Sequence, residues 1–314
     1  MSTPSRDSAV TEPLTAERGR AGMGAAGAYL LLVVAMLSWS GNMIVGRALA
    51  GIVPPFGLSL MRWSIAFLVV LPFAAREIIA KRAVLMRRWR ILLLLGLLGL
   101  TICNSLSYVG LQWTTALNGA LVNSAGPMLT LLAAFAVNRE RAMPWQLAGI
   151  LVSLLGVVVI VLRGNPAALV ELSINRGDLA LLLGVATWSI YTVLLPRRPP
   201  ELSPVALLAV LFGIGAATVL PLHLGESWLG RPLPTTPPAL LGYLYVGIFP
   251  AVIAFFGWNR GVAAIGPSRA SLFSHLIPLF SAGLAYFFLG EGIAGFHIAG
   301  GALIFIGIFL ANRR

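Results

Sequence analysis

Ten continuous apolar stretches, each of about 18 residues or more, recur along the chain. A helix of about 20 apolar residues crosses a hydrocarbon core of about 30 Å, whereas the strands of a membrane barrel alternate apolar and polar positions. The pattern therefore predicts an all-α polytopic membrane protein with ten transmembrane helices. The predicted centres lie near Ala35, Phe67, Thr101, Gly126, Val152, Leu183, Leu211, Phe249, Ile277 and Phe305.

Polar residues interrupt several of these stretches near the middle. The first stretch contains the sequence SWSGN, and the sixth contains TWSIY. Because a polar side chain is costly in lipid, such residues should face the interior of the bundle or a water-filled cavity. Trp39 and Asn42 are three residues apart and share one helix face, as do Trp188 and Tyr191. These two faces are predicted to point inward.

The fourth and ninth stretches each contain a central proline, Pro127 and Pro278. A proline within a helix lacks the amide hydrogen and leaves the carbonyl group four residues earlier unpaired. The freed carbonyls would be those of Asn123 and Ser274, and unpaired backbone at this depth is tolerated only inside protein or along a cavity. We therefore expect a kink or a gate at each proline. A purely conformational kink is the alternative.

A candidate substrate site follows from these positions. The freed carbonyls could accept hydrogen bonds from an ammonium group, and amide, hydroxyl and imidazole donors could hold a carboxylate. Aromatic rings would contact a side chain, so the set suits a zwitterionic amino acid. The candidate binding residues are Trp39, Asn42, Asn104, Tyr108, Asn123, Ser124, Trp188, Tyr191, Ser274 and His275, and the candidate gating residues are Pro127, Pro278 and Arg62. Each polar residue could instead serve helix packing, and Arg62 could equally extend to the membrane interface.

The two halves of the chain repeat each other. A displacement of 149 residues, which becomes 151 beyond the second stretch, aligns identical residues: Trp39 with Trp188, Pro55 with Pro204, Pro127 with Pro278, Glu140 with Glu291, and Gly149 with Gly300. This predicts five-helix repeats at 25–165 and 175–312, after a disordered cytoplasmic tail at 1–24. Since five is odd, the second repeat should enter the membrane from the opposite side, as in secondary transporters with a site at the midplane. A duplicated scaffold without transport activity is the alternative.

Composition and charge agree with a membrane protein. The chain is 58% hydrophobic and 10% charged, with a mean hydropathy of +0.91, whereas soluble domains contain about 25% charged residues. Of its Lys and Arg residues, 17 fall in tails and loops on the side of the N-terminus and 4 in loops on the other side. This positive-inside distribution predicts that both termini are cytoplasmic. It also accounts for the net charge of +12 without a nucleic-acid partner.

Motifs for catalysis and for ATP hydrolysis are missing from the sequence. There is no phosphate-binding loop, no His-Glu-x-x-His sequence, no pair of cysteines and no paired carboxylates. We therefore expect neither enzymatic activity nor a cofactor or metal. The acidic residues lie in the tail, in loops or at helix ends, where Glu140 and Glu291 suit helix capping. His275 is the sole proton-relay candidate, which favours facilitative transport over proton coupling.

The repeats resemble the EamA repeat of the drug/metabolite transporter superfamily. Each half has an apolar stretch with a central proline, then NRER or LGEG, then WQLAG or FHIAG and a glycine-containing last helix. The SWSGN stretch and the aromatic interior are similar to YddG-type bacterial exporters of aromatic and other amino acids. The resemblance implies a ten-helix fold around a central cavity, a place in a bacterial inner membrane and export from the cytoplasm.

We therefore expect a secondary transporter that exports aromatic and other neutral amino acids by alternating access. One alternative is an exporter of cationic or aromatic drugs or other small metabolites, and another is a non-transporting membrane scaffold. The glycines of the fifth and tenth stretches could pack within a repeat or between two copies of the chain. The sequence thus leaves open a monomer or a homodimer.

Overall fold

The computed structural model describes residues 24–49, 51–114, 122–165, 167, 175–289 and 294–312. These ranges contain helices and no strand, and helical residues cover all ten predicted centres. The tail predicted at 1–24 lies outside the described residues except for Gly24, and so does Glu291. The prediction of an all-α polytopic membrane protein is confirmed.

Seven helices in the described ranges are long and apolar enough to cross a membrane. They are α1 (Ala25–Ala48), α2 (Pro55–Ala80), α3 (Trp89–Gly110), α5 (Pro144–Val161), α6 (Arg176–Leu194), α7 (Pro204–Trp228) and α8 (Pro237–Ile265). Three shorter helices, α4 (Val122–Asn138), α9 (Leu276–Leu289) and α10 (Gly295–Ala311), occupy the remaining apolar stretches. Two short helices, Arg82–Arg87 and Pro267–Ser271, lie between longer ones.

Both candidate gating prolines lie where a helix restarts, rather than in the middle of a continuous helix. A turn at Ala125 interrupts α4, and Pro127 lies in the first turn of the main part, Gly126–Asn138. The ninth stretch begins with a short helix and a 3₁₀ turn, and Pro278 lies in the first turn of α9. A proline fits a first turn because its missing amide hydrogen has no partner there.

The helices pack in a pattern that the repeat predicts. Helix α2 packs along α7, and α5 packs along α10. Helix α1 packs on α8 and α9, whereas α6 packs on α3 and α4. Replacing every helix by its counterpart in the other half leaves this set of contacts unchanged. The set of major helix contacts is therefore symmetric with respect to exchange of the two halves.

Two glutamates fix the direction of α2 relative to α7. Glu77, in the last turn of α2, accepts hydrogen bonds from the Ser203 amide at 2.8 Å and the Ser203 hydroxyl at 2.5 Å, at the start of α7. Glu226, near the end of α7, accepts hydrogen bonds from the amides of Phe56 at 3.2 Å and Gly57 at 2.9 Å, at the start of α2. The helices run antiparallel, and each carboxylate caps the other helix, where unpaired amides carry a partial positive charge.

Glycines bring α5 and α10 into close contact. A Cβ atom added to Gly149 would lie 2.5 Å from the carbonyl oxygen of Gly307, and one added to Gly156 would lie 2.5 Å from that of Gly300. These helices are therefore antiparallel as well. The glycines pack between the two halves of one chain, and not within a single repeat.

One end of the bundle carries several cationic loops, and we call it the basic end. The Arg197 side chain donates a hydrogen bond to Oδ1 of Asn138 at 2.8 Å, and Arg87 donates to Oε1 of Glu201 at 3.1 Å. Lys81 also donates to the Glu201 carbonyl. These contacts bring together the segments that follow α2, α4 and α6. The other end of the bundle is called the opposite end.

Candidate functional site

Two tryptophans from equivalent positions of the two halves are in contact. Trp39 of α1 and Trp188 of α6 pack edge to face with ring centroids 5.2 Å apart. Both rings also contact Trp258 of α8, at 5.5 and 5.4 Å, and Phe255, at 6.0 and 5.4 Å. Tyr191 packs against Trp188 at 5.0 Å. We call these five rings the aromatic cluster, and it lies where the two halves meet.

Arg62 of α2 is 2% exposed and contacts two other helices, α3 and α8. Its Nη1 donates hydrogen bonds to Oδ1 of Asn104 at 3.0 Å and to the Tyr108 hydroxyl at 3.2 Å, and its Nη2 donates to the Pro250 carbonyl at 2.9 Å. The Tyr108 hydroxyl in turn donates to Oδ1 of Asn42 at 3.3 Å. Four residues singled out in the sequence, Arg62, Asn104, Tyr108 and Asn42, thus form one network, which we call the Arg62 network.

The carbonyl of Pro250 joins the Arg62 network to the aromatic cluster. The indole Nε1 of Trp39 donates a hydrogen bond to the same oxygen at 2.9 Å. Pro250 lies in a π-helical stretch of α8, Ile248–Ile253, and α3 contains an equivalent stretch, Leu97–Ile102. Such stretches interrupt the regular helical hydrogen bonding and often occur at functional sites. Here the irregular backbone provides an acceptor for side chains of α1 and α2.

The Arg62 network contains a buried positive charge without a negative partner. Within the described ranges Arg62 forms no ion pair, and the carboxylates that lie closest to Lys81, Arg87 and His223 are at the ends of the bundle. Burial of an ion costs several kcal/mol unless other groups compensate for it. For Arg62 the compensation comes from three neutral acceptors and from the Trp63 ring, whose centroid lies 4.6 Å from the guanidinium carbon. The same ranges place no group of His, Cys, Asp and Glu that could hold a metal ion.

A tyrosine–asparagine hydrogen bond occurs in both halves with the residues exchanged. In the first half, Tyr108 of α3 bonds to Asn42 of α1; in the second half, Tyr191 of α6 donates to Oδ1 of Asn259 of α8 at 2.8 Å. The repeat relates position 42 to 191 and position 108 to 259, so the same contact exists with donor and acceptor interchanged. Asn259 was missed in the sequence because its counterpart is not identical.

His275, Ser124 and Ser274 lie at a second contact between the halves. His275 is 1% exposed, with Nδ1 at 2.6 Å from the Ser153 hydroxyl and Nε2 at 3.0 Å from the carbonyl oxygen of Ser124. Ser274 donates to the Ser271 carbonyl at 2.7 Å. Asn123 lies next to Ser124 in α4. Both ring nitrogens of His275 therefore bond to protein atoms, away from the Arg62 network.

Two equivalent serines bond to the broken helices of the opposite half. The Ser40 hydroxyl of α1 lies 3.1 Å from the carbonyl oxygen of Ile277, and the Ser189 hydroxyl of α6 lies 3.4 Å from that of Gly126. Each acceptor immediately precedes a candidate gating proline. The serines of SWSGN and TWSIY thus point inward, and they connect α1 and α6 to the two places where a helix restarts.

A cavity of about 290 Å³ opens at the basic end between the halves. The first half contributes α4 and the segment before α5, and the second half contributes the junction after α8. Its charged and polar lining consists of Glu140, Arg141, Gln146, Ser268 and Arg269. Leu131 also lines it, next in sequence to Thr130, whose hydroxyl lies 3.2 Å from that of Ser189.

Comparison with known proteins agrees with the repeat and with the fold. Residues 26–162 and 175–313 each match the EamA-like transporter family. The chain is 30% identical to the uncharacterized transporter YyaM of Bacillus subtilis over 223 residues, which are 70% of this chain and 72% of that protein. It is 28% identical over 265 residues to a probable terminal-alkyne amino-acid exporter of Streptantibioticus cattleyicolor, covering 82% and 84% of the two chains. A solved crystal structure with 25% identity superposes with a TM-score of 0.73 over 91% of this chain and 96% of the other. The chain therefore belongs to the EamA-like transporter family.

Proposed function

We propose that the protein exports aromatic and other neutral amino acids across a bacterial inner membrane. The observation that carries this proposal is the contact of Trp39 with Trp188 between the halves, directly beside the guanidinium of Arg62. The rings provide an apolar and stacking surface, and the polar network provides hydrogen bonds for the charged groups of an amino acid. The relative named as an amino-acid exporter supports the same substrate class.

In the proposed mechanism, two inverted halves open in turn to the two sides of the membrane. The antiparallel pairs α2–α7 and α5–α10 support an inverted relation, because each pair joins equivalent helices. The bond between Tyr108 and Asn42 lies beyond Trp39 toward the opposite end, whereas that between Tyr191 and Asn259 lies beyond Trp188 toward the basic end. These two pairs are the proposed gates, one on each side of the contact between Trp39 and Trp188.

The basic end is proposed to face the cytoplasm. Loops rich in Lys and Arg remain on the cytoplasmic side of bacterial inner membranes. The cavity of about 290 Å³ then forms the cytoplasmic vestibule, and the amino acid enters the protein from the cytoplasm. Both termini lie on that side in this arrangement.

Transport is proposed to be facilitative. Proton-coupled transporters usually place a carboxylate or histidine in the translocation path. Glu77 and Glu226 lie near helix ends, and Glu201 lies in the segment between α6 and α7. His275 bonds to Ser153 and Ser124 through its two ring nitrogens. A cationic drug is a poor substrate for this site because the Arg62 guanidinium would repel it.

Uptake into proteoliposomes tests the proposed function. Purified protein in liposomes without an ion gradient is expected to take up radiolabelled phenylalanine, threonine or methionine with saturation. Trp39→Leu and Trp188→Leu should each reduce the uptake about tenfold through loss of ring contacts. Trp228→Leu is the matched control, since Trp228 is 90% exposed and lies outside the aromatic cluster. Uptake equal to that of empty liposomes for every amino acid would contradict the proposal.

A further inference from the structure

Arg62 has hydrogen-bonding capacity that the protein leaves unused. Its Nε is buried and has no hydrogen-bond partner within the described ranges, and the same holds for Nε1 of the neighbouring Trp63. The hydroxyl of Ser59, on the same face of α2, and that of Ser105, next to Asn104 in α3, are also unpaired and buried. Because buried donors normally find partners, the unpaired Nε of Arg62 indicates that an acceptor belongs beside this guanidinium, and the unpaired groups of Ser59 and Trp63 lie within one helical turn of it in the sequence.

The missing acceptor should carry a negative charge. The described residues offer Arg62 two side-chain oxygens and one backbone oxygen, all of them neutral. A carboxylate has two oxygens that match the fork of a guanidinium, and the resulting charge-assisted bonds are roughly twice as strong as neutral ones. It would also supply the countercharge that a buried guanidinium ordinarily has.

An anion at this position would lie beside the aromatic cluster. The guanidinium carbon is 6.0 Å from the Phe255 ring centroid, and that ring is 5.4 Å from the Trp188 ring. Arg62 and Trp39 also donate hydrogen bonds to the same oxygen of Pro250. A small molecule with its carboxylate on Arg62 would therefore place its side chain against Trp39 and Trp188.

We propose that Arg62 binds the α-carboxylate of the transported molecule, which replaces Asn104 and Tyr108 as the acceptor. This inference rests on the proposed function and defines its substrate class: small apolar or aromatic molecules with a free carboxylate. The counterpart of Arg62 in the second half is the buried Leu211, so the site holds one carboxylate in one orientation. When the carboxylate displaces Tyr108 from Arg62, Tyr108 loses one of its two hydrogen bonds and the gate that it forms with Asn42 becomes less stable.

A competition experiment on the wild-type protein tests the inference without any substitution. Liposomes containing the protein are given radiolabelled phenylalanine together with an excess of unlabelled phenylalanine, phenylalaninamide, phenethylamine or 3-phenylpropionate. Phenylalanine and 3-phenylpropionate are expected to compete, because both carry the carboxylate. The amide and the amine should compete at least about tenfold less well, the effect of losing one charge-assisted interaction at a buried site.

Substitution of Arg62 provides the second arm. Arg62→Gln should raise the half-saturation concentration for phenylalanine about tenfold or more and make the protein accept phenylalaninamide as well as phenylalanine, whereas Arg62→Lys should keep part of the preference. Arg90→Gln is the matched control: Arg90 also lies near an aromatic ring, that of Trp89, but at the basic end. Equal competition by the amide, the amine and phenylalanine in the wild type would overturn the inference while the proposed function stands. Absence of any saturable amino-acid uptake would instead contradict the proposed function and the inference together.

Discussion

Replacement of Glu226 by alanine removes the group that caps the start of α2. The carboxylate accepts hydrogen bonds from the amides of Phe56 and Gly57, and Glu226 is 8% exposed, so water cannot easily replace it. Each lost bond to a charged group costs about 1.5–3 kcal/mol, and the interaction of the charge with the helix dipole adds up to about 2 kcal/mol at a partly buried site. After partial relaxation, we expect Glu226→Ala to lower the free energy of unfolding by about 2–5 kcal/mol.

Two further variants distinguish the loss of the helix cap from a general effect of replacing a glutamate. Glu226→Gln keeps one acceptor oxygen without the charge, and we expect it to lose about half as much stability as Glu226→Ala. Glu140→Ala removes a carboxylate at the basic end whose bond to Asn138 lies within an exposed segment, and we expect a change within about 0.5 kcal/mol.

The assay is reversible unfolding in mixed micelles with increasing SDS, followed by circular dichroism. An unfolding midpoint for Glu226→Ala equal to that of the Glu140→Ala control would refute the capping argument. The equivalent Glu77 has a side chain that is 24% exposed and also pairs with Lys81. Because water reaches this cap more easily, Glu77→Ala should cost about half as much as Glu226→Ala.

Three other predictions concern the contacts between helices and the source of driving force. Gly156→Ala would place a Cβ atom 2.5 Å from a backbone oxygen of α10, so we expect the free energy of unfolding to fall by about 1–3 kcal/mol in the same assay. A Cβ atom at Gly283 would have nothing within 4 Å, so Gly283→Ala should be neutral or slightly stabilising. Tyr191→Phe and Tyr108→Phe each remove one gate hydrogen bond. Amide hydrogen exchange should rise about fivefold near the basic end of α8 for Tyr191→Phe and in the last turns of α3 for Tyr108→Phe. The same exchange pattern in both variants would contradict the assignment of separate gates. Uptake by the wild type should change less than about twofold when a pH gradient is imposed, and gradient-driven accumulation that His275→Ala abolishes would contradict facilitative transport.

The positions of the helices and of the inward-facing residues followed from sequence patterns. The length of the hydrophobic stretches reflects the thickness of the bilayer. The identical residues at a fixed displacement reflect the duplication, and both patterns can be read along the chain without knowledge of its contacts. The polar interruptions in SWSGN predicted that Trp39 and Asn42 face inward, and both make contacts with other helices there.

Other features depend on which helices become neighbours, and the sequence does not state that. The role of Glu226 requires α7 to end beside the start of α2, although its identity with Glu77 at a displacement of 149 residues was available as a signal. Asn259 was not predicted as a site residue because its counterpart in the first half is a tyrosine, Tyr108, and not an asparagine. The partners of Arg62 come from two other helices, α3 and α8, so its role depends on packing and not on spacing.

Counterflow shows directly whether the two halves expose one amino-acid site alternately to the two sides of the membrane. Liposomes loaded with unlabelled phenylalanine are diluted into a trace of labelled phenylalanine, with no ion gradient. Alternating access predicts a transient accumulation of label inside the liposomes. This accumulation should disappear without internal phenylalanine and with phenylalaninamide as the internal solute. Simple equilibration of label at a rate that internal phenylalanine does not change would contradict alternating access at a shared site.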